Sequence, residues 1–167
     1  MKDTIYGLLG ILLIIIGLLW IGKPDETSKN NSANFIVAST NNYLATTENI
    51  FNFGPVSMAK GKVSHEFRIK NVSSESIIIN KIYTSCMCTK ARLIVNENEF
   101  GPYGMPGHGS IPKIDVALET NTEAVVRVIF DPNAHGPAGI GKIERVVTIE
   151  NSAGEPVELG FTAEVTP

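Results

Sequence analysis

Hydrophobic and polar positions along this chain of 167 residues fall into three regimes. Residues 5–21, Ile-Tyr-Gly-Leu-Leu-Gly-Ile-Leu-Leu-Ile-Ile-Ile-Gly-Leu-Leu-Trp-Ile, carry no charge, and Lys23 is the first residue to interrupt the run. An apolar run of this kind, with no polar face, predicts a helix that spans a bilayer, which takes about 17 to 25 residues. Tyr6 and Trp20 stand near its two ends, where aromatic rings settle at the membrane interfaces. Residues 23–47 then turn to Lys, Asp, Glu, Ser, Asn and Thr with few apolar positions, the composition of a solvated stalk.

From about Ile50 the period changes to two, the spacing of strands with one face buried. Val63, His65, Phe67 and Ile69 share one face of the segment 63–70. In 157–165 the apolar positions are Val157, Leu159, Phe161, Ala163 and Val165. Further strands are predicted over 51–53, 77–83, 114–118, 124–130 and 143–150, with turn residues between them at Gly54-Pro55, 71–76 and 131–137. No segment of helical period follows the first run. The pattern predicts an all-β fold, an immunoglobulin-like antiparallel β-sandwich of about seven strands, preceded by one N-terminal transmembrane helix. The implied division is an anchor over 1–22, a stalk over 23–47 and the sandwich over 48–167. One connection is out of scale: residues 96–112 include Gly101-Pro102-Tyr103-Gly104-Met105-Pro106-Gly107-His108-Gly109, a long Gly/Pro loop of the kind that carries function.

Composition narrows the function. A hydrophobic content of 43% supports one core, and the net charge of -3, with 14 basic residues spread along the chain, offers no track for phosphates. Nucleic acid is therefore not an expected partner. Lys2 precedes the apolar run, but neither an Ala-x-Ala-like cleavage site nor a lipobox cysteine follows it, so the run reads as an uncleaved signal-anchor. Lys2 on one side and Lys23 and Lys29 on the other leave the basic-residue asymmetry nearly mute. The short, charge-poor head places the N-terminus inside and the domain on the extracytoplasmic side.

The chain holds two cysteines, Cys86 and Cys88, within Thr84-Ser85-Cys86-Met87-Cys88-Thr89 at the end of the strand over 77–83. In extended backbone both would point to one side and Met87 to the other. Four readings remain open. The pair can pack as small apolar side chains. It can form a local disulfide, strained because the i, i+2 spacing in a strand lies near the upper limit of disulfide geometry. It can bind a soft ion such as Cu(I), with Met105 or His108 closing over it from the Gly-rich loop. It can also serve as a point of attachment or contact. Zinc is less suited, since no second pair stands at zinc-site spacing. His65, on an apolar face, reads as a hydrogen-bonded core residue; His108 and His135, in turns, read as solvated. No Ser-His-Asp or paired-carboxylate arrangement can be assembled, and Cys86 has no activating base nearby in sequence, so no enzymatic activity is expected.

Several of these residues together resemble a known family. Phe51-Asn52-Phe53-Gly54, the Val63-x-His65-x-Phe67-x-Ile69-x-Asn71 strand, Ile79-x-x-Ile82-x-x-Ser85-Cys86-x-Cys88-Thr89 and Val128-x-Phe130-Asp131-Pro132 are similar to a bacterial domain of unknown function typed by a Ser-Cys-x-Cys-Thr motif. That family resembles the Hydin-type, major-sperm-protein-like immunoglobulin domains. The resemblance covers about residues 50–165 and implies a seven-stranded sandwich, usually exported, with no established enzymatic activity. Two departures stand out: Met87 occupies the place commonly taken by glycine, and the Gly/Pro/His loop looks inserted. The functional expectation is a membrane-anchored, extracytoplasmic, non-enzymatic binding or structural module for another envelope or membrane-associated protein. The alternative is a thiol-redox or Cu(I)-binding protein that uses Cys86 and Cys88.

Overall fold

The computed structural model describes residues 43–107 and 111–167. The apolar run 5–21, most of the expected stalk and His108 lie outside the described residues. Among the described residues no helix is long and apolar enough to cross a membrane.

Ten strands occur there: β1 (Leu44–Thr46), β2 (Ile50–Ser57), β3 (Val63–Asn71), β4 (Ile77–Thr84), β5 (Thr89–Val95), β6 (Asn98–Tyr103), β7 (Val116–Leu118), β8 (Glu123–Phe130), β9 (Gly141–Asn151) and β10 (Val157–Thr166). They form two five-stranded sheets, in the order β1-β3-β8-β5-β6 and β2-β10-β9-β4-β7. The period of two does what it predicts. Along β10, Val157, Leu159, Phe161, Ala163 and Val165 are buried, and along β3 Phe67 and Ile69 are fully buried. Both sheets send such residues into one core, in which Phe67 and Phe161 are the largest fully buried side chains. Burying each contributes on the order of 2 to 3 kcal/mol.

Five expectations are corrected. Among the described residues the sandwich has ten strands and not about seven, since β1, β5 and β6 add to those expected. The sandwich begins no later than β1, inside the stretch expected to be stalk, because Leu44 and Ala45 are wholly buried and β1 pairs with β3. The sheets are not purely antiparallel, since β2 runs parallel to β10. Gly54-Pro55, expected to stop a strand, instead makes an irregularity within β2: the register shifts opposite Thr162 and Glu164, Gly54 takes a φ of 66°, and the Asn52 side chain accepts the Gly54 N–H at 2.8 Å. An edge strand tolerates Pro55, which has no N–H to donate. Finally, β5 and the first part of the supposed long loop form a hairpin. Its two turn residues, Asn96 and Glu97, have φ of 47° and 69°, the mirror-image turn whose twist matches that of the flanking strands.

Asn71, at the end of β3, is a fully buried polar residue with all its valences used. Its side-chain nitrogen donates to the Glu75 and Leu118 carbonyls, both at 2.8 Å, and its oxygen accepts from the Ser73 N–H and hydroxyl. A buried amide is stable only under such complete pairing. The turn of residues 71–76 is thereby tied to β7, across which β4 begins.

Candidate functional site, a dithiol corner between the sheets

The two cysteines do not lie in extended backbone. β4 belongs to one sheet and β5 to the other, and residues 85–88 are the turn by which the chain crosses between them. Each residue around the motif fastens that turn. The Thr89 N–H donates to the Cys86 carbonyl at 3.1 Å, closing it. The buried Thr84 hydroxyl lies within reach of the Cys86 and Thr89 carbonyls, at 3.0 and 3.2 Å. Ser85 continues the bonding to β9 past the strand end: its N–H donates to the Val146 carbonyl and its hydroxyl accepts the Val146 N–H, both at 2.9 Å. The Cys88 carbonyl accepts the Asp131 N–H at 2.8 Å, which ties the corner to the Asp131-Pro132 turn.

This geometry replaces the expected side-by-side projection from a strand. Both sulfurs turn inward, with Cys86 9% and Cys88 3% exposed, while Met87 is 61% exposed. Met87 is not among the positive-φ residues, so this turn has no need of glycine at that position. The thiols are free, and the Cys88 Sγ donates to the Cys86 Sγ across 2.6 Å. The strain expected of an i, i+2 pair assumed a strand; a turn draws the two residues closer together than extended backbone does.

Two residues complete the corner: His135, expected from its turn to be merely solvated, and Arg145, which the sequence did not single out. His135 stands in the turn after β8 with its Nε2 3.1 Å from the Cys86 Sγ, so an Nε2–H would donate to the sulfur. That turn is built by the Asp131 carboxylate accepting the Asn133 N–H, by the Asn133 side chain donating to the Met58 carbonyl, and by Gly136 at a φ of 55°. A Cβ on Gly139 would lie 3.2 Å from the His135 Cβ, so the glycine leaves room for the imidazole to sit where it does. Arg145, on β9, brings its Nε to 3.4 Å from the Cys88 Sγ and is further held by donation from its Nη1 to the Glu144 carbonyl. Arg145 was legible in principle. It occupies the inward phase of β9, in line with Ile143, Val147 and Ile149, and a charged residue on an apolar face implies a partner there.

The two sulfurs are electrostatically unequal. Burial pushes the Cys86 thiol up, but hydrogen bonds from the Cys88 side chain, from His135 and from the Cys88 N–H, with the Arg145 charge, outweigh it and bring Cys86 down from 9.0 to about 7. Cys88 moves the other way, raised by burial and by giving its hydrogen bond to Cys86. As the pH rises through about 7 the corner therefore passes to one thiolate beside one thiol. As possible metal ligands, Cys86, Cys88 and His135 bring their donor atoms within 4.8 Å of one another.

Of the other residues singled out from sequence, Met105 is 50% exposed and lines a shallow depression with Ile82, Pro102, Tyr103 and Pro106. Its neighbour Gly104 accepts the Thr84 N–H at 3.2 Å, so the loop docks on the end of β4. His65 is half-buried, stacked on Phe51 with ring centroids 3.6 Å apart, and 2.7 Å from the Glu48 carboxylate.

The family described as "Protein of unknown function (DUF1573)" has a model that matches residues 44–101, from β1 into β6, including both cysteines but neither His135 nor Arg145. No curated protein matches the chain. Among solved structures, a family 123 glycoside hydrolase from Clostridium perfringens is similar over 70% of this chain and 22% of its own, with 8% identity and a TM-score of 0.50, a likeness of fold alone. A protein of unknown function from Porphyromonas gingivalis W83 is 12% identical, with 72% of this chain and 46% of its own covered and a TM-score of 0.49. The PapD-like domain 7 of human CEP192 is 9% identical, with 78% and 90% covered and a TM-score of 0.47. This chain therefore spans less than half of the Porphyromonas protein and under a quarter of the hydrolase.

Proposed function

We propose that this chain is a membrane-anchored, extracytoplasmic immunoglobulin-like module that acts by binding and not by catalysis. Its partner is another envelope or membrane-associated protein, which contributes an extended segment to the edge of the sandwich. The observation that carries this reading is β2. Among the described residues this strand is bonded on one side only, to β10; ahead of the Gly54-Pro55 irregularity, residues 50–53 form an uninterrupted edge that begins with Ile50 at 62% exposure. An open strand edge presents unpaired N–H and C=O groups at the spacing a partner strand needs, and an exposed apolar side chain adds selectivity. The other edges suit less. β1 and β7 have three residues each, and β6 is interrupted by Gly101 and Pro102, the latter with no N–H. The uncharged run 5–21 supports attachment to the membrane, with the domain outside.

The test is co-isolation from native membranes. A partner that co-purifies with the chain is expected to be lost in Ile50→Lys, which changes an exposed side chain and leaves the core intact, and retained when both Cys86 and Cys88 are replaced by serine. A partner that survives Ile50→Lys and is lost with the cysteines would overturn the reading in favour of the dithiol corner.

A further inference from the structure

We propose that Cys86 and Cys88 are a redox-active dithiol that exchanges with the disulfide of a second molecule, with Cys86 as the attacking sulfur, Cys88 as the resolving one, and His135 and Arg145 as positioning residues that set the equilibrium. This activity does not depend on the β2 edge, and either can fail without the other.

Four observations support the assignment. The two Sγ atoms meet directly, as an S–S bond of roughly 2.05 Å would need, in a turn that the Thr89 and Thr84 hydrogen bonds hold closed. The pair is asymmetric, because Cys86 accepts the Cys88 thiol and N–H and lies on the His135 Nε2, whereas Cys88 gives one hydrogen bond and accepts the Arg145 Nε–H. Exposure follows the same order: the exposed His135 lies on Cys86, which is less buried than Cys88, so an incoming disulfide meets Cys86 first. Arg145 stands on the Cys88 side, where negative charge must form when the second sulfur reacts.

The chemistry balances without a further reactant. The Cys86 thiolate attacks one sulfur of R–S–S–R′; a Cys86–S–R bond forms as the S–S bond breaks, and R′–S⁻ leaves with the electron pair and takes a proton from water. Cys88 gives up its proton to water and attacks the Cys86 sulfur. The Cys86–Cys88 bond forms, R–S⁻ leaves, and the net change is one external disulfide reduced to two thiols as the protein dithiol is oxidised. Attack by the thiolate is the general route of such exchange. Because His135 and Arg145 stabilise thiolate charge, they favour the reduced form, and the protein disulfide should be a ready oxidant of other thiols.

The experiment equilibrates the reduced 167-residue chain, in detergent and without oxygen, with mixtures of reduced and oxidised glutathione at pH 8, followed by acid quench, alkylation and mass analysis. Both thiols are expected to disappear together as an internal disulfide. Cys88→Ser should trap one glutathione on Cys86, at a rate at least about tenfold above that of Cys86→Ser. His135→Ala and Arg145→Ala should each raise the oxidised fraction, shifting the glutathione equilibrium about three- to tenfold, since one unit of thiol acidity is worth tenfold. A residue with a merely structural role would leave that equilibrium unmoved. Three results would overturn the proposal: equal trapping rates in the two cysteine variants, an equilibrium unchanged by both positioning variants, or no internal disulfide at any ratio. If the last were joined by uptake of one Cu(I) from a weak chelator, the corner would be a metal site instead.

Discussion

At the scale of single residues, the dithiol corner shows how much chemistry depends on backbone path. Cys86 and Cys88 were legible as a pair, and their neighbours Thr84, Ser85 and Thr89 as a motif. Their geometry was not, because an i, i+2 pair reads as co-facial only if the strand continues, and here the chain changes sheets. His135 and Arg145 come from 49 and 57 residues away; the alternation of β9 marks Arg145 as a charge on an inward face, but no local pattern says that it meets Cys88. The electrostatics of the corner make a direct prediction. Since the Cys86 thiol is lowered to about 7, its thiolate fraction, and with it the rate of alkylation, should rise with pH through about 7 and level off above it, whereas Cys88 should react only well above that range. The midpoint for Cys86 should move upward in His135→Ala and in Arg145→Ala, each of which removes one group that stabilises the thiolate. Rates by site-resolved mass analysis check this; a Cys86 midpoint near 9 in the wild-type chain would remove the asymmetry.

At the scale of elements, the strands with clean alternation were the readable ones. β10 was legible because it buries one face throughout, β3 because its alternation runs unbroken from half-buried Val63 and His65 to fully buried Phe67 and Ile69, and β8 because its inward phase Ala124, Val126, Val128, Phe130 is wholly apolar. The β5–β6 hairpin was missed because its turn puts Glu97, not glycine, at a φ of 69°, and because Gly101-Pro102 near the end of β6 looks like loop. β1 was missed because three residues are too few to show a period. The strand phase of β3 gives the sharpest stability test. Phe67→Ala removes a fully buried ring and should cost about 3 to 5 kcal/mol, whereas Arg68→Ala, on the outer face with its nearest carboxylate at 4.0 Å, should cost under about 1. Denaturant melts of the domain variants read both; similar losses at the two positions would mean that the phase is wrong.

At the scale of the whole molecule, the sequence supplies a hydrophobic run, and the described residues supply a sandwich with open edges. The proposed function joins the two as a tethered domain. The chain should stay with membranes through alkaline carbonate extraction, and protease added from outside should reach residues beyond 22. A mature N-terminus within residues 23–42 would show instead that the run is removed as a signal. The proposed binding at the edge puts the partner beside β2, where an added strand would take up main-chain groups that, among the described residues, are bonded on one side only. The measurement that tests this most directly is backbone amide exchange at residues 50–53, with the chain in its native membranes and, for comparison, purified and returned to vesicles of the same lipids alone. The account predicts slower exchange at these amides in the native membranes, with Ile50→Lys restoring the rate seen in vesicles; equal rates in both settings would contradict it.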